Sequence, residues 1–195
     1  MQAARAAGQS ATNLLRHPVT DTKTKILDVA ERLTQTRGFN GFSYIDLSDE
    51  VGVKTSSIHY HFKTKADLGL ALVDRVRDTH AAAFNTMNGQ ISSPEKRLAA
   101  LVDFFQGYVK EDKFCLCGML AAELQSVSPT VRRRLEEYFQ DLRTWIAAQL
   151  REMGFRDAKG RSLSFLSALE GSVLLARLSG EPMVVSDAMK TLRKR

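Results

Sequence analysis

Apolar residues recur every three or four positions along most of this chain, and that spacing restricts its fold more than any other feature. A period of about 3.6 residues lines such side chains along one face of an α-helix, whereas a half-buried strand alternates apolar with polar residues. No segment of the sequence alternates in that way for long, and no hairpin dipeptide separates two β-rich runs. The sequence therefore predicts an all-α protein of about nine helices.

Start and stop signals mark where those helices begin and end. Ser43 and Thr64 each precede an aspartate three positions on, which is the spacing of a capping box, and they should open the second and fourth helices. Gly38 and Gly52 are expected to end the first and second helices. The other predicted bounds are Thr55 to about Phe62, a fourth-helix end near Phe84, a helix from Pro94, one near Cys115, Pro129 to about Met153, 162–179 and 183–193.

Three parts are expected along the chain: a disordered N-terminal arm (1–20), a three-helix helix-turn-helix domain (21–66) and a C-terminal helical bundle (67–195). No apolar run approaches the roughly 20 residues of a membrane span, so no membrane partner is expected. The two cysteines are too close in sequence to join distant elements, which favours a reduced, cytoplasmic protein. The net charge of +6 permits a polyanionic partner without locating it, because residues 1–70 hold nine Lys/Arg and seven Asp/Glu.

Residues 44–62 are the most informative stretch, with two short helices joined by a tight turn at Gly52. Leu47, Val51, Val53 and Ile58 would form the small apolar centre between them. The second helix then exposes short or planar groups rich in hydrogen-bond donors and acceptors, which suit the floor of a major groove: Thr55, Ser56, Ser57, His59 and Tyr60. The alternative is a helical hairpin whose polar surface has no special purpose.

Metal and cofactor chemistry finds little support in the sequence. His59 and His61 are two positions apart, hence about 200° apart around a helix, so they cannot share a metal ion. The sequence contains no phosphate loop, nucleophile elbow or paired-carboxylate signature. We therefore predict no metal, no cofactor and no catalytic residue.

Residues 22–75 resemble the DNA-binding domain of the tetracycline-repressor (TetR) family of bacterial transcription regulators. The resemblance is carried by Thr24–Leu27, Arg37–Phe39, Val51–Val53 and, most strongly, Ile58–Leu68. It implies contacts to duplex DNA, a homodimer and no enzymatic activity. The phosphate contacts that it implies are Thr24, Ser43, His61 and Lys65, and the residues facing bases or adjoining sugar-phosphate are Lys54, Thr55, Ser56, Ser57, His59 and Tyr60. Ile45 departs from the pattern, since relatives often carry a polar or basic residue there.

The family couples DNA release to a small-molecule effector in the bundle, and this bundle contains suitable apolar side chains. Aromatic residues at helical spacing also make ordinary core, so both interpretations stay open. The residues expected to line an effector site are Phe84, Phe105, Tyr108, Cys115, Met119, Trp145 and Glu170.

Phe114–Leu124 is similar to a Gly-Cys-Leu-Leu-Gly-Asn-Leu-Ala-Ala-Glu-Leu segment of one branch of the family, in which some members respond to electrophiles. Cys115 aligns with the branch cysteine. A cysteine in the first turn of a helix, beside Lys113, should favour the thiolate. Cys115 is therefore either a reactive or ligand-adjacent thiol, or a small buried hydrophobe.

Residues 164–177 resemble the dimerisation helix of the family. Two copies of this helix, with the last helix of each subunit, would form a four-helix interface with two-fold symmetry. Glu170 would point into a pocket or pair with Arg177. The residues expected in the interface are Leu166, Leu169, Gly171, Val173, Leu174 and Arg177.

The predicted function is a ligand-responsive transcriptional regulator, of the kind typical of a repressor, that binds a palindromic operator as a homodimer and is released by a small molecule or electrophile. The DNA-binding domains of the two subunits, about 34–36 Å apart, would contact successive major grooves of the operator. Two alternatives remain at this stage: a thiol-dependent helical enzyme, and a DNA-binding dimer without an effector.

Overall fold

The computed structural model describes residues 21–190, so the predicted N-terminal arm (1–20) and the end of the predicted last helix lie outside the described residues. Within that range the chain forms nine α-helices and no strand, which confirms the all-α prediction. The helices are α1 (Thr22–Arg37), α2 (Tyr44–Val51), α3 (Thr55–His61), α4 (Lys65–Gln90), α5 (Pro94–Lys110), α6 (Leu116–Ala122), α7 (Pro129–Glu152), α8 (Ala158–Ser179) and α9 (Met183–Lys190).

The helix starts follow the predicted caps. The Ser43 and Thr64 side chains each accept from the backbone of an aspartate three positions on, whose carboxylate accepts the cap's own N–H, so both capping boxes are complete. Ser93 and Ser128 cap α5 and α7, each with proline at the first helical position. Gly52 ends α2 in the left-handed conformation (φ 76°), which a residue with a side chain adopts at a cost.

Two helix bounds differ from the prediction because of tertiary contacts. α4 continues past Phe84 and through Asn88 to Gln90, since Trp145 on α7 stacks on the Phe84 ring at 4.8 Å and donates to Asn88 Oδ1 at 3.2 Å. α8 begins at Ala158 instead of 162, where the Asp157 carboxylate accepts from Gly160 N at 3.0 Å. In the first case packing overrides the local turn signal, and in the second the Asp157 cap starts the helix before the residue that periodicity predicts.

The helices pack around two connected apolar regions. α1, α2 and α3 enclose Ile26, Leu33, Leu47 and Ile58, all fully buried. In the rest of the described chain α7 packs against α4, α5 and α8, while α9 lies against α5 and α8. α1 also contacts α6, so the first three helices rest on the bundle through that short helix as well as through α4. Among the described helices, none is both long and apolar enough to cross a membrane.

Candidate DNA-binding face and effector site

The outer face of α3 presents the polar side chains that the sequence predicted for DNA. Lys54, Ser56 and His59 are exposed, and Tyr60 is 83% exposed although it is a large aromatic residue. α3 buries only Ile58, so every other side chain of this short helix is wholly or partly accessible. Exposure of an aromatic ring among short polar groups suits contact with base edges and sugars.

Contacts behind this face fix the angle between α2 and α3. Leu47 and Ile58 form the buried centre, as predicted. The Ser48 and Thr55 hydroxyl oxygens lie 3.0 Å apart, which ties the start of α3 to α2 and leaves Thr55 only half-exposed. The Tyr44 hydroxyl donates to the Thr64 carbonyl at 2.7 Å, and the Tyr44 ring packs edge-on against His59 at 4.9 Å. The reading helix is thus held in place before any DNA is bound.

Lys65 and Ser43 are each engaged in bonds within this part of the chain. The Lys65 ammonium donates to the Phe42 carbonyl and lies over the Phe39 and Phe42 rings, at 5.1 and 4.6 Å from their centroids. Its burial lowers its pKa. The Ser43 hydroxyl donates to Asp46 Oδ2 at 2.7 Å within its capping box. In this conformation both side chains bond within the first three helices and the turn that follows them, and the phosphate contacts expected of them stay predictions.

The remaining phosphate candidates stay accessible. Thr24 is exposed at the start of α1, and His61 is half-exposed with its ring edge-on to Tyr60 at 5.1 Å. Lys63, immediately after α3, is exposed as well. These positions leave hydroxyl, imidazole and ammonium groups at the two edges of the α3 face.

Glu123, a residue that the sequence analysis did not single out, accepts hydrogen bonds from the turn after α1. Glu123 Oε1 accepts from Phe39 N at 3.1 Å, and Oε2 accepts from Asn40 N at 2.9 Å and from Asn40 Nδ2 at 2.6 Å. A Cβ atom at Gly38 would collide with Glu123 Oε1, so this approach requires glycine. We call this set of bonds the Glu123 clamp. No local pattern could reveal it, because its partners are more than 80 positions apart.

Two further bonds join the end of α1 to the bundle. Arg177 on α8 donates to the Thr36 carbonyl at 3.0 Å and lies 3.7 Å from the Asp112 carboxylate. Phe114 N donates to the Gln35 carbonyl at 3.1 Å. Arg177 therefore connects the bundle to the head, although the sequence placed it in the dimer interface.

The predicted effector residues form a connected series through the bundle. Phe84 and Trp145 fill the space between α4 and α7 by stacking on one another, and Phe105 is fully buried. Met119 packs toward Gly38 instead, since its Cε would lie 3.5 Å from a Cβ there. A void of about 50 Å³ lies beside His80, Phe84 and Tyr138. The described residues thus show a packed interior in which the predicted residues are largely core.

His80 forms a buried polar centre that the sequence prediction missed. Its Nε2 lies 2.9 Å from the Tyr108 hydroxyl and its Nδ1 lies 3.1 Å from the Tyr138 hydroxyl. Burial lowers the pKa of His80 to about 4, so the ring is neutral and one nitrogen donates while the other accepts. Its two tyrosine partners come from α5 and α7, so no local pattern around His80 could reveal this centre.

Cys115 does not favour the thiolate, contrary to the sequence prediction. It is the N-cap of α6, one position before the first turn, and it is buried. Burial, Glu170 and Cys117 raise the pKa of Cys115 well above its ordinary value, and Cys117 is affected in the same direction by burial and Glu170. The desolvation of both thiols outweighs the helix dipole and Lys113.

Glu170 points into the bundle and is not paired with Arg177. Neither of its carboxylate oxygens is exposed or receives a well-formed hydrogen bond. Burial raises the pKa of Glu170 to about 7, while the neighbouring Cys115 thiol, a weak donor, lowers it somewhat. Of the two orientations predicted for Glu170, the inward one is found.

Of the α8 residues predicted for the dimer interface, Gly171 and Leu174 lie on the outward face of the helix. Leu166, Leu169 and Val173 face the core of their own subunit and are buried. Because α8 is apolar around most of its circumference, periodicity could not distinguish its core face from its outer face. The outer face carries four exposed leucines and a glycine with open space before it, which we call the α8 stripe: Leu163, Gly171, Leu174, Leu175 and Leu178.

Comparison with known protein families identifies two matching regions. Residues 26–72 match the bacterial regulatory proteins of the tetR family, and residues 94–191 match the C-terminal domain of LmrA/YxaF-like transcriptional regulators. The first region spans α1 to α3 and the start of α4, and the second spans the helices from α5 onward.

Similar proteins extend over nearly the whole chain. An uncharacterised HTH-type transcriptional regulator of Lactococcus lactis is 27% identical over 88% of this chain and 92% of its own length. The regulator LmrA of Bacillus subtilis is 26% identical over 90% and 98%, respectively. A TetR transcriptional regulator from Legionella pneumophila has a similar crystal structure, with a TM-score of 0.85 and 31% identity over 90% of this chain and 97% of its own. These relatives are regulators and not enzymes, which excludes the thiol-dependent enzyme considered above.

Proposed function

The chain belongs to the TetR family of bacterial transcriptional regulators, and from that premise we propose that it is a repressor that binds a palindromic operator as a homodimer and leaves it when a small molecule binds the bundle. The observation that carries the proposal is the exposed polar face of α3, which includes the highly exposed Tyr60. We further propose that residues 21–66 act as the reading head and residues 67–195 as the effector and dimerisation domain.

The α3 face would enter the major groove. Tyr60, His59 and Ser56 would meet base edges and adjoining sugars, with Lys54, Thr55 and Ser57 beside them. Thr24, His61 and Lys63 would contact phosphates on the two sides of the groove. Phosphate contacts of this kind position the head without reading sequence, so they should make binding strongly dependent on salt.

Dimerisation would use the α8 stripe. Four exposed leucines on one helix face form an apolar surface that is unusual for a monomer and that a second copy related by two-fold symmetry would cover. A Cβ atom at Gly171 would meet nothing within 4 Å from the other described elements, so two helices could approach closely at this point. α9 would complete the four-helix interface, where Met183 is exposed.

Effector binding would act on the reading head through α6. This helix carries the Glu123 clamp at its C-terminal end, and Cys115 at its start faces Glu170. A ligand that moves α6 would shift the turn after α1, and with it the spacing of the two heads. The segment Phe114–Leu124 keeps its likeness to the electrophile-responsive branch, but protonated buried thiols are poor nucleophiles. A non-covalent effector is therefore favoured over an electrophile.

The test is DNA capture followed by binding measurements. Random duplexes retained by the purified protein are sequenced, and the enriched palindrome is titrated by fluorescence anisotropy. Tyr60→Ala should weaken specific binding by roughly tenfold or more, because one lost base contact costs about 1–3 kcal/mol. Asn85→Ala, an exposed position on α4, serves as the matched control and should bind normally. Unchanged affinity of Tyr60→Ala would remove the assignment of the α3 face.

The alternative of a DNA-binding dimer without an effector is distinguished by a ligand screen. Small molecules that raise the melting temperature and also release the operator support the regulator. A protein that binds the operator but releases it with none of the compounds would favour the fixed DNA-binding dimer.

A further inference from the structure

The carboxyl group of Glu170 is buried beside the Cys115 thiol, which is only a weak donor. Both oxygens are excluded from solvent, and no nitrogen or oxygen donor among the described residues is bonded to them. Burying a carboxylate in this way is costly, so such groups in folded proteins normally have an ion pair or several hydrogen bonds. The Glu170 site therefore has an acceptor that is ready for a donor from outside the chain.

Gly118 on α6 makes room for this carboxylate. A Cβ atom at position 118 would lie 2.9 Å from Glu170 Oε2 and 2.9 Å from Phe114 Cε1, closer than real Cβ atoms come. Glycine within a short helix lowers helix stability by about 1 kcal/mol relative to alanine. The chain thus tolerates an unfavourable helix residue at the point where the carboxylate and an aromatic ring meet.

The groups around Glu170 carry no positive charge. Those that act on it, or on which it acts, are the thiols of Cys115 and Cys117 and the hydroxyls of Tyr108 and Tyr138, from α5, α7 and the start of α6. All four groups are neutral at pH 7, because burial raises their pKa values. An incoming cation would consequently meet the Glu170 carboxylate, polarisable sulfur and aromatic rings, and the Glu31 carboxylate also acts on Cys117 and Tyr108. No cation is among the described side chains that act on Glu170.

A metal ion does not fit this site. Within residues 21–190 no group of three or more His, Cys, Asp or Glu side chains is arranged to hold one. A single carboxylate with protonated thiols offers too few ligands for calcium, magnesium or zinc. The ionised form of Glu170, about half of the population at pH 7, would repel an anionic ligand.

We propose that Glu170 is the anchor of the effector subsite and that the effector is an organic base, a protonated amine or amidine carried on an apolar or aromatic body. Its N–H groups would donate to the two carboxylate oxygens, and its charge would lie near the Phe114 ring. This inference rests on the proposed function, since it names the chemistry of the effector that the regulator would sense.

The same contact explains how such a ligand would act on the head. A Cβ atom on Gly118 would already lie 2.9 Å from Glu170 Oε2, so the space between them is small and a donor group placed there would move α6 away from α8. α6 is only one to two turns long and ends in the Glu123 clamp, which holds the backbone of Phe39 and Asn40. Displacing α6 at Gly118 would therefore loosen the clamp at the other end of the helix.

The test compares two probes that differ only in charge: 2-naphthylmethylamine, which is protonated at neutral pH, and 2-naphthylmethanol, which is neutral. Both are titrated into the full-length protein by calorimetry without DNA. We expect the amine to bind at least about tenfold more tightly, because a hydrogen bond to a charged group contributes more than a neutral one. Glu170→Gln should abolish that preference. Glu31→Gln is the matched control, at the other partly buried carboxylate that acts on Cys117 and Tyr108; because Glu31 is ion-paired with Arg75, this variant should keep most of the preference.

Proton release provides a second readout that a purely structural role would not change. Because the pKa of Glu170 is about 7, wild type at pH 7 should release about half a proton when the amine binds. Titration in two buffers of different ionisation enthalpy measures this number. The Glu170→Gln protein should release none, and Glu170→Asp should retain release with weaker binding.

Equal affinity for the two probes in wild type overturns the proposal, as does an amine preference that persists in Glu170→Gln, or no amine binding up to about 1 mM. The wild-type comparison needs no variant, so a folding defect cannot obscure it. Operator binding in the absence of probe is measured separately. If the protein binds its operator but not the amine, the effector class is wrong while the regulator stands, and if it binds no DNA, the proposed function fails.

Discussion

Replacing Glu170 with glutamine should make the protein more stable at neutral and alkaline pH. The pKa of Glu170 is about 7 in the fold, against an ordinary value of 4.5. A carboxyl with a raised pKa binds its proton more tightly in the folded state, so its favourable contribution is complete below pH 4.5 and is lost as the pH rises through 7. The difference of about 2.5 pKa units corresponds to about 3 kcal/mol of unfolding free energy above pH 7.

The titration of His80 changes the unfolding free energy with pH in the opposite direction to that of Glu170. Wild type and Glu170→Gln must therefore be compared over the pH range in which both groups titrate. Its pKa is lowered to about 4 from 6.5, so unfolded chains take up a proton first and stability falls as the pH drops from 6.5 to 4. Between pH 4.5 and 6.5 the two groups nearly cancel in wild type. In Glu170→Gln the His80 slope remains alone, so the variant should gain up to about 3 kcal/mol across that range while wild type changes little.

Urea unfolding at fixed protomer concentration, measured at pH 4.5, 6 and 8, provides the assay. The two proteins should have equal unfolding free energies at pH 4.5 and should diverge progressively toward pH 8. Groups common to both proteins drop out of the difference. A variant that is equally or less stable at pH 8 would refute the argument, because it would mean that the carboxylate has a partner that compensates for its burial.

Three other substitutions test the remaining contacts. Lys65→Met should lower the unfolding free energy by about 1–2 kcal/mol, because the bond to the Phe42 carbonyl is lost. It should leave unchanged the slope with which operator affinity falls as salt rises. A slope reduced by about 1 would show that Lys65 contacts a phosphate. Leu178→Asp should shift dimer to monomer in analytical ultracentrifugation, whereas Ile45→Asp, at an exposed apolar residue on the DNA-binding domain, should not. A dimeric Leu178→Asp protein would exclude the α8 stripe. Glu123→Ala should lower the unfolding free energy by about 1–3 kcal/mol and should reduce the effect of ligand on operator affinity. A full ligand response in this variant would show that α6 does not transmit ligand binding to the DNA-binding domain.

Local rules predicted the ends of helices well because the interactions that fix those ends are local. Both capping boxes, the left-handed Gly52 and the proline starts of α5 and α7 depend on residues within four positions of each other. The α4 end at Gln90 depends on Trp145, far along the chain, and no turn signal at Asn88 contains that information. Tertiary packing overrode the local preference there.

In the candidate site as well, features fixed by neighbouring residues could be predicted and contacts between distant helices could not. The α3 face could be predicted because a short helix with one buried residue must expose the others. The Glu123 clamp, the His80 centre and the inward Glu170 each combine residues from different helices, so periodicity could rank them only as apolar-face or surface positions. Lys65 was assigned to phosphate from its place after α3, but the Phe39 and Phe42 rings compete for the same ammonium.

The Glu170 carboxylate and the Glu123 clamp favour different positions of α6. At its start the helix lies against a carboxylate that is unfavourable to bury, and at its end it makes three hydrogen bonds that hold the reading head. A ligand that stabilises the carboxylate gains the most where α6 has moved, while operator DNA gains the most where the clamp is closed. Because such coupling is reciprocal, the factor by which ligand weakens operator binding must equal the factor by which operator weakens ligand binding. Because α6 is only one to two turns long, it cannot bend enough to move at one end alone. A displacement at Gly118 is therefore passed to the Glu123 clamp.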